Sequence, residues 1–154
     1  MCYTTLTKSG SLIIPGLLDK MKIISHVMRN INEFNIPART SRGYEMLYFG
    51  VNLILMIDYR LAFDIIPAES NYEVGVLIVS RRDVDKWKVR HSHSDINTFY
   101  CNQGGRINDI FKPTQSDSYA FIIINNSQFE QITVDVTLIH TWQQRIKESQ
   151  IIDE

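Results

Sequence analysis

The chain has 154 residues, of which 44% are hydrophobic and 21% are charged, and its formal net charge at pH 7 is −1. This length and composition are typical of one folded domain with its own core, which excludes intrinsic disorder for the main body. The near-neutral charge argues against a nucleic-acid or anionic-membrane surface, because either partner requires concentrated Lys and Arg.

The N-terminal part of the sequence is ambiguous between helix and strand. Residues 1–14 are polar and rich in Thr and Ser, which predicts a flexible N-terminal segment. Beyond them, apolar residues recur at spacings of four and three, at Leu17, Met21, Ile24, Met28 and Ile31. This spacing predicts a helix over residues 15–29 that could pair with its copy in a homo-oligomer. The β-branched Ile23, Ile24 and Val27 also allow a strand, so both interpretations stay open.

Strands dominate from residue 44 onward. Residues 44–49 are rich in aromatics and predict a short strand. Residues 53–66 alternate with period two and predict a long strand that Pro67 stops. The set predicted to face the core is Leu53, Leu55, Ile57, Tyr59, Leu61, Phe63 and Ile65. Residues 72–80 are nearly continuous apolar sequence, which predicts an inner strand covered on both faces.

A short helical turn opens the second half of the chain. Residues 83–88 predict one turn of helix, with Trp87 packing back on a sheet. Short strands are predicted at residues 98–101 and 106–111, and a glycine turn at residues 103–105 separates them.

The last two strands are the clearest pair in the sequence. Residues 119–124 and 132–139 alternate with period two, and we predict that they form a β-hairpin. Residues 125–128 have turn chemistry, because Asn tolerates left-handed backbone. Asn125 also begins an N-x-S glycosylation pattern, which we interpret as part of this turn. Residues 143–154 are predicted to be a polar C-terminal tail.

These elements together predict the fold class. Strands outnumber helices, and no strand–helix–strand alternation follows residue 40, which favours antiparallel sheets over a parallel α/β sheet. The predicted fold is mainly β, an antiparallel β-sandwich of the jelly-roll type with one N-terminal helix. We expect one domain over residues 15–142.

Cysteine content and hydropathy bear on the compartment. The two cysteines, Cys2 and Cys101, are too few for a disulfide framework. The N-terminus lacks the pattern of a signal peptide, and the most hydrophobic window, residues 51–66, contains three charged residues. We therefore expect a cytoplasmic protein without a transmembrane segment.

Candidate catalytic chemistry is sparse. His91 and His93, with Asp95 nearby, could hold a divalent metal in a metal-dependent enzyme, but spacing fixes no further ligand. We favour exposed loop histidines. Cys101 and His140 are a conceivable nucleophile and base, but no nucleophile motif surrounds them and Cys101 fits a small core residue better. We predict neither catalytic residues, nor a bound metal, nor a cofactor.

Aromatic residues supply the candidate binding surface. Most Tyr and Trp side chains are expected in core or edge packing, because aromatics fit pleated surfaces. The three residues selected as a binding surface are Trp87, Tyr100 and Trp142.

Several stretches share the pattern of one known family. They are Phe-Asn-Ile-Pro-Ala at residues 34–38, the long strand at 51–63, the strand and Trp-terminated turn at 72–87, and Tyr-Ala-Phe-Ile-Ile-Ile-Asn-Asn at 119–126 followed by alternation over 132–138. With these features, residues 34–142 resemble the GOLD-like (emp24-type) β-sandwich domains. The resemblance implies two packed antiparallel sheets, a protein-interaction or cargo-recognition role, and no catalytic residues.

The sequence thus predicts a non-catalytic binding or protein-interaction module that recognises a protein through an edge strand or sheet face. One alternative is a sandwich that binds a small carbohydrate or lipid in a groove beside exposed aromatics. The other is the metal-dependent enzyme that would use His91 and His93.

Overall fold

The structure, a computed structural model, describes residues 2–12, 21–90 and 96–147. Its strands are β1 (Cys2–Leu12), β2 (Met21–Ile36), β3 (Tyr44–Val51), β4 (Ile57–Pro67), β5 (Val74–Ser80), β6 (Thr98–Gly104), β7 (Ile107–Phe111), β8 (Asp117–Asn125) and β9 (Ile132–Lys147). The helical elements are the 3-10 turns Arg39–Ser41 and Arg81–Asp83 and the helix α1 (Val84–Arg90). Within these ranges, no helix has the length and apolar character needed to cross a membrane.

The strands form two antiparallel sheets. The first sheet has the order β1-β2-β9-β4-β7, and the second has the order β3-β8-β5-β6. Without β1, each sheet has four strands, and consecutive strands after β2 mostly alternate between the sheets. This is the strand order of a jelly roll, and it confirms the predicted antiparallel β-sandwich.

The main core lies between the two sheets. Period-two alternation turns Leu61, Phe63 and Ile65 of β4 inward, where they meet Tyr119, Phe121 and Ile123 of β8. All seven residues of β5 are buried, because α1 covers the outer face of the second sheet through a second cluster that includes Leu77, Val84 and Trp87. The predicted inner strand and the packing of Trp87 on the sheet are both confirmed.

The predicted N-terminal helix is wrong over the residues that the structure describes. Residues 15–20 lie outside the described ranges, and Met21–Ile36 is a strand that pairs with β9 along its whole length. The apolar spacing of Met21, Ile24 and Met28 suits a helix, but long-range pairing with β9 outweighs this local preference. The pairing of such a helix with its copy therefore loses its structural basis.

Both ends of the chain contribute to the first sheet. At residues 2–12, where a flexible segment was expected, strand β1 pairs antiparallel with β2. At the other end, Gln143–Lys147 of the expected tail continue β9 and pair with β2. Strand β1 therefore adds an edge strand to the first sheet, and residues 143–147 lengthen β9 in the same sheet.

The predicted hairpin between β8 and β9 is also wrong, because β8 lies in the second sheet and β9 in the first. The buried side chain of Asn125 holds the crossing between the sheets. Its Nδ2 donates to the carbonyl oxygens of Ile36 (3.2 Å), Pro37 (3.0 Å) and Glu130 (2.7 Å), and its Oδ1 accepts from the amide of Ser127 (2.8 Å). Asn125 is therefore a structural residue whose side-chain amide is occupied.

The long strand predicted over residues 53–66 starts later than expected. The Asn52 side chain accepts from the amides of Ile54 (3.0 Å) and Leu55 (3.3 Å), which fixes a turn before β4. Leu55, predicted to face the core, is consequently exposed. The strand ends at Pro67, as predicted.

Candidate functional site

The first sheet extends beyond the second on one side. β2 and β9 have 16 residues each, whereas β3, the neighbouring edge of the second sheet, has eight. Inward-facing residues at the N-terminal end of β2 and the C-terminal end of β9 are therefore covered only in part. A cavity of about 520 Å³ opens there, which we call the edge cleft. It is lined by Met28, Asn30, Met46, Leu47, Tyr48, Phe49, Gly50, Met56, Tyr59, Leu138, His140 and Trp142.

A β-bulge in β4 borders the edge cleft. The pairing of β4 with β9 shifts between Ile57 and Arg60, so β4 carries one extra residue there. Asp58 at the bulge has φ 54°, the left-handed region, which Asp adopts more readily than most residues. Tyr59, the second residue of the bulge, lines the cleft beside β9.

Tyr59 and His140 form a buried polar pair in the wall of the cleft. A hydrogen bond joins the Tyr59 hydroxyl to Nδ1 of His140. Burial lowers the pKa of His140 to about 4, because the charged imidazolium loses its hydration. Burial also raises the pKa of Tyr59, with the nearby Tyr119 a smaller cause. Both side chains are neutral at pH 7, and the bond satisfies polar atoms that would otherwise be buried without a partner.

Aromatic rings surround this pair. Phe49 lies 5.5 Å from His140 and 6.4 Å from Tyr59, and Trp142 lies 6.3 Å from Tyr59, all between ring centroids. Trp142 also stacks on His26, with centroids 5.0 Å apart and planes 14° apart. These rings give the cleft a rigid aromatic wall.

A flexible apolar surface completes the lining. Met28, Met46 and Met56 are three of the five methionines in the chain. Methionine is unbranched and polarizable, so it adapts its shape to irregular apolar groups. The twelve lining residues include no Lys, Arg, Asp or Glu. The edge cleft therefore suits an uncharged, largely apolar group.

A smaller cavity of about 190 Å³ lies on the outer face of the second sheet, beside α1. Its lining includes Arg39, Gly75, Trp87, Cys101 and Asn126. This cavity is more polar than the edge cleft and is smaller than the roughly 300 Å³ at which ligand pockets usually begin. Cys101 lines this cavity, whereas His140 lies in the first sheet and lines the edge cleft, so they do not form the nucleophile–base pair considered from the sequence. Cys101 is also exposed, so its predicted place in the core is wrong.

The three residues chosen from the sequence as a binding surface lie in different settings. Trp87 is buried and packs edge-on against Tyr44, with centroids 4.8 Å apart. Tyr100 is partly buried in β6 and donates to Oδ2 of Asp109 (2.8 Å). Burial, and to a lesser extent Asp109, raises the pKa of Tyr100 to about 12. Of the three, Trp142 is the one that lines the edge cleft.

The candidate metal ligands His91 and His93 lie outside the described residues. Within residues 21–90 and 96–147, no group of three His, Cys, Asp or Glu side chains could hold a metal ion. The structure therefore tests neither the prediction of exposed loop histidines nor its alternative, a metal site at His91 and His93.

Sequence reasoning missed Tyr59 and His140 as a site. The signal was available, because inward-facing positions on β9 continue with period two from Leu138 through His140 to Trp142. A polar residue at an inward position of such a strand indicates a buried partner. Identifying that partner required the pairing of β4 with β9.

Comparison with known proteins finds similarity to a solved structure and no related family. No family model and no curated protein matches the chain. Among solved structures, the chain is similar to one described as "CBM4 structure and function", with 7% identity, a TM-score of 0.38, and coverage of 92% of this chain and 86% of that chain. A likeness at this level carries no argument about function.

Proposed function

We propose that this protein is a non-catalytic binding module that holds a small, largely apolar molecule in the edge cleft. The observation that carries the proposal is the cleft itself, about 520 Å³ of space between aromatic and methionine side chains. Ligand pockets typically span roughly 300–1,000 Å³, with mostly apolar walls and a few polar groups. The edge cleft meets each of these criteria.

The chemistry of the lining narrows the ligand class. With no Lys, Arg, Asp or Glu in the lining, a charged group inside the cleft would lose hydration without gaining a counter-ion. Flexible chains and flat rings both suit methionine and aromatic walls. The ligand we propose is therefore an acyl chain or a flat apolar ring system. Asn30 of β2, whose Oδ1 accepts a hydrogen bond from Nδ2 of Asn32, adds one more polar group to the lining.

Intrinsic tryptophan fluorescence tests this proposal, because the chain has two tryptophans and Trp142 alone of the two lines the cleft. In Trp87→Phe, titration with a medium-chain fatty alcohol should shift the remaining emission saturably. In Trp142→Phe, the emission of Trp87 should stay unchanged. Saturable binding should be lost in Met28→Arg and kept in Met28→Leu. Absence of saturable binding by a panel of acyl chains and flat ring compounds would refute the proposal.

Recognition of a protein partner is the second candidate function. Ile31, Ile66 and Ile110 are exposed apolar residues, a surface feature that fits a protein interface. The resemblance to GOLD-like domains implies this candidate, and the two antiparallel sheets agree with the architecture that the resemblance implies. The stretches at 119–126 and 132–138 that carried part of the resemblance lie in different sheets, so they lend this candidate no support.

A further inference from the structure

The outer face of the first sheet carries exposed apolar residues on several strands. Ile31 on β2 is 47% exposed, Ile66 on β4 is 37% exposed and Ile110 on β7 is 56% exposed. The second sheet differs, because α1 packs on its outer face. Exposed isoleucines on three strands of one sheet face make that face a candidate for contact with another protein.

Strand register places these residues in rows across the sheet. One row runs Arg29, Ile139, Ala62 and Ile110, on β2, β9, β4 and β7 respectively. The next row toward the C-terminal end of β2 contains Ile31, Thr137, Asp64 and Asn108. The centre of the face thus mixes isoleucines with small polar residues and with Asp64, whose carboxylate pairs with the Arg106 guanidinium (2.8 Å).

Charges divide between the two ends of this face. Arg29, together with Arg60 and Arg145 in rows farther along, forms a basic end. Glu33 pairs in register with Asp135 in the row beyond Ile31, and both are exposed. These two residues form an acidic end. The face is therefore basic at one end and acidic at the other, with isoleucines and polar residues between them.

We infer that this face is the interface of a symmetric homodimer. The two-fold axis would lie in the plane of the interface, perpendicular to the strands, and would pass near Ile31. The strands of the second copy then run opposite to those of the first. The basic end of each copy then meets the acidic end of the other, and Arg29 approaches Glu33 of the second copy. Such an interface is isologous, so every ion pair occurs twice.

The size of the face fits this arrangement. Three strands about 4.8 Å apart and about ten residues long, at ~3.4 Å per residue, together with the five-residue β7, give a face of roughly 570 Å². A standard interface buries about 800 Å² on each partner, which is of the same order. Aligned face-to-face packing of two sheets is also the ordinary geometry of β-sandwiches.

Sedimentation velocity of the full chain, over a concentration series at low and high salt, tests the inference. The wild type should dimerise, and its dimer Kd should rise with salt, because the ends attract through exposed charges. Arg29→Glu and Glu33→Arg should each raise the dimer Kd by about tenfold or more, since like charges then face each other twice.

Two further variants make the test specific. The double variant Arg29→Glu/Glu33→Arg exchanges the charges and should restore a Kd near that of the wild type. Lys86→Glu, an equivalent charge reversal on α1 at the opposite side of the molecule, should leave the Kd unchanged. A wild type that remains monomeric at submillimolar concentration, or a double variant as weak as the single ones, would overturn the inference. The edge cleft opens between the sheets, so ligand binding there stands or falls separately.

Discussion

Acid should destabilise this protein through His140. Its pKa in the folded protein is about 4, below the ordinary value of 6.5, because the ring is 4% exposed and its charged form loses hydration. Between these two pH values the unfolded chain binds a proton that the folded chain does not. The free energy of unfolding therefore falls as pH falls from about 6.5 toward about 4, and is unaffected by this group well above pH 7.

The size of the effect follows from the two pKa values. At pH 5 the imidazole is mostly protonated in the unfolded chain but mostly neutral in the folded protein, where its pKa is about 4. This difference lowers the free energy of unfolding by about 2 kcal/mol relative to pH 7. The limit below about pH 4 is about 3 kcal/mol. Either value is a large part of the 5–15 kcal/mol that typically stabilises a domain.

Urea unfolding followed by circular dichroism at pH 7 and pH 5 measures this loss. Carboxylates titrate in the same range, so the comparison is between variants at both pH values. Tyr59→Phe/His140→Leu removes the imidazole and the hydroxyl that pairs with it, and should lose about 2 kcal/mol less than the wild type on acidification. Tyr59→Phe alone keeps the buried imidazole and should retain most of the wild-type loss. If the double variant loses as much stability as the wild type, folding does not lower the pKa of His140.

Two further changes test the packing around the sheet crossing. Asn125→Ala should lower the free energy of unfolding by about 3 kcal/mol, because it removes the hydrogen bonds that satisfy buried carbonyl groups, whereas Asn126→Ala should cost under about 1 kcal/mol. Gly43→Ala should destabilise by about 1–3 kcal/mol, because its Cβ would lie 2.5 Å from Cα of Arg39, whereas a Cβ at Gly50 meets nothing within 4 Å and Gly50→Ala should be much milder. Denaturant midpoints of the four variants provide the measurement, and equal costs within either pair would contradict the argument.

Much of the architecture could be predicted from local pattern. Continuous apolar sequence in β5 predicted burial on both faces. Alternation in β4 predicted that the Tyr59 side chain faces the core. What the pattern could not give is the sheet to which each strand belongs. The alternating pattern of β8 and β9 is the same whether the two strands form a hairpin or lie in opposite sheets. In the structure they lie in opposite sheets, and the buried side-chain amide of Asn125 donates to the carbonyls of Ile36 and Glu130 at the crossing.

The helix predicted over residues 15–29 was wrong, over the part that the structure describes, for a related reason. Spacings of three and four place Met21, Ile24 and Met28 on one face of a helix, but in a strand Ile24 and Met28 share a face as well. In the structure, Met28 pairs with His140 across the β2–β9 ladder. The strand conformation of this segment thus depends on pairing with residues more than a hundred positions away, which a local sequence pattern does not include.

The edge cleft follows from a difference in strand length that leaves a trace in the sequence. Along β9 the inward positions are aliphatic from Ile132 to Leu138, where the second sheet covers them. They become His140, still buried beside Phe49, and then the half-buried Trp142. Aliphatic side chains suit a dry, fully covered core, whereas His and Trp tolerate a boundary where one side is open. Along β2 the same change separates the buried Ile36 from half-buried Met28 at the other end of the strand. The change from aliphatic to aromatic and polar residues at inward positions therefore marks where the covering sheet ends and where a ligand has room to enter.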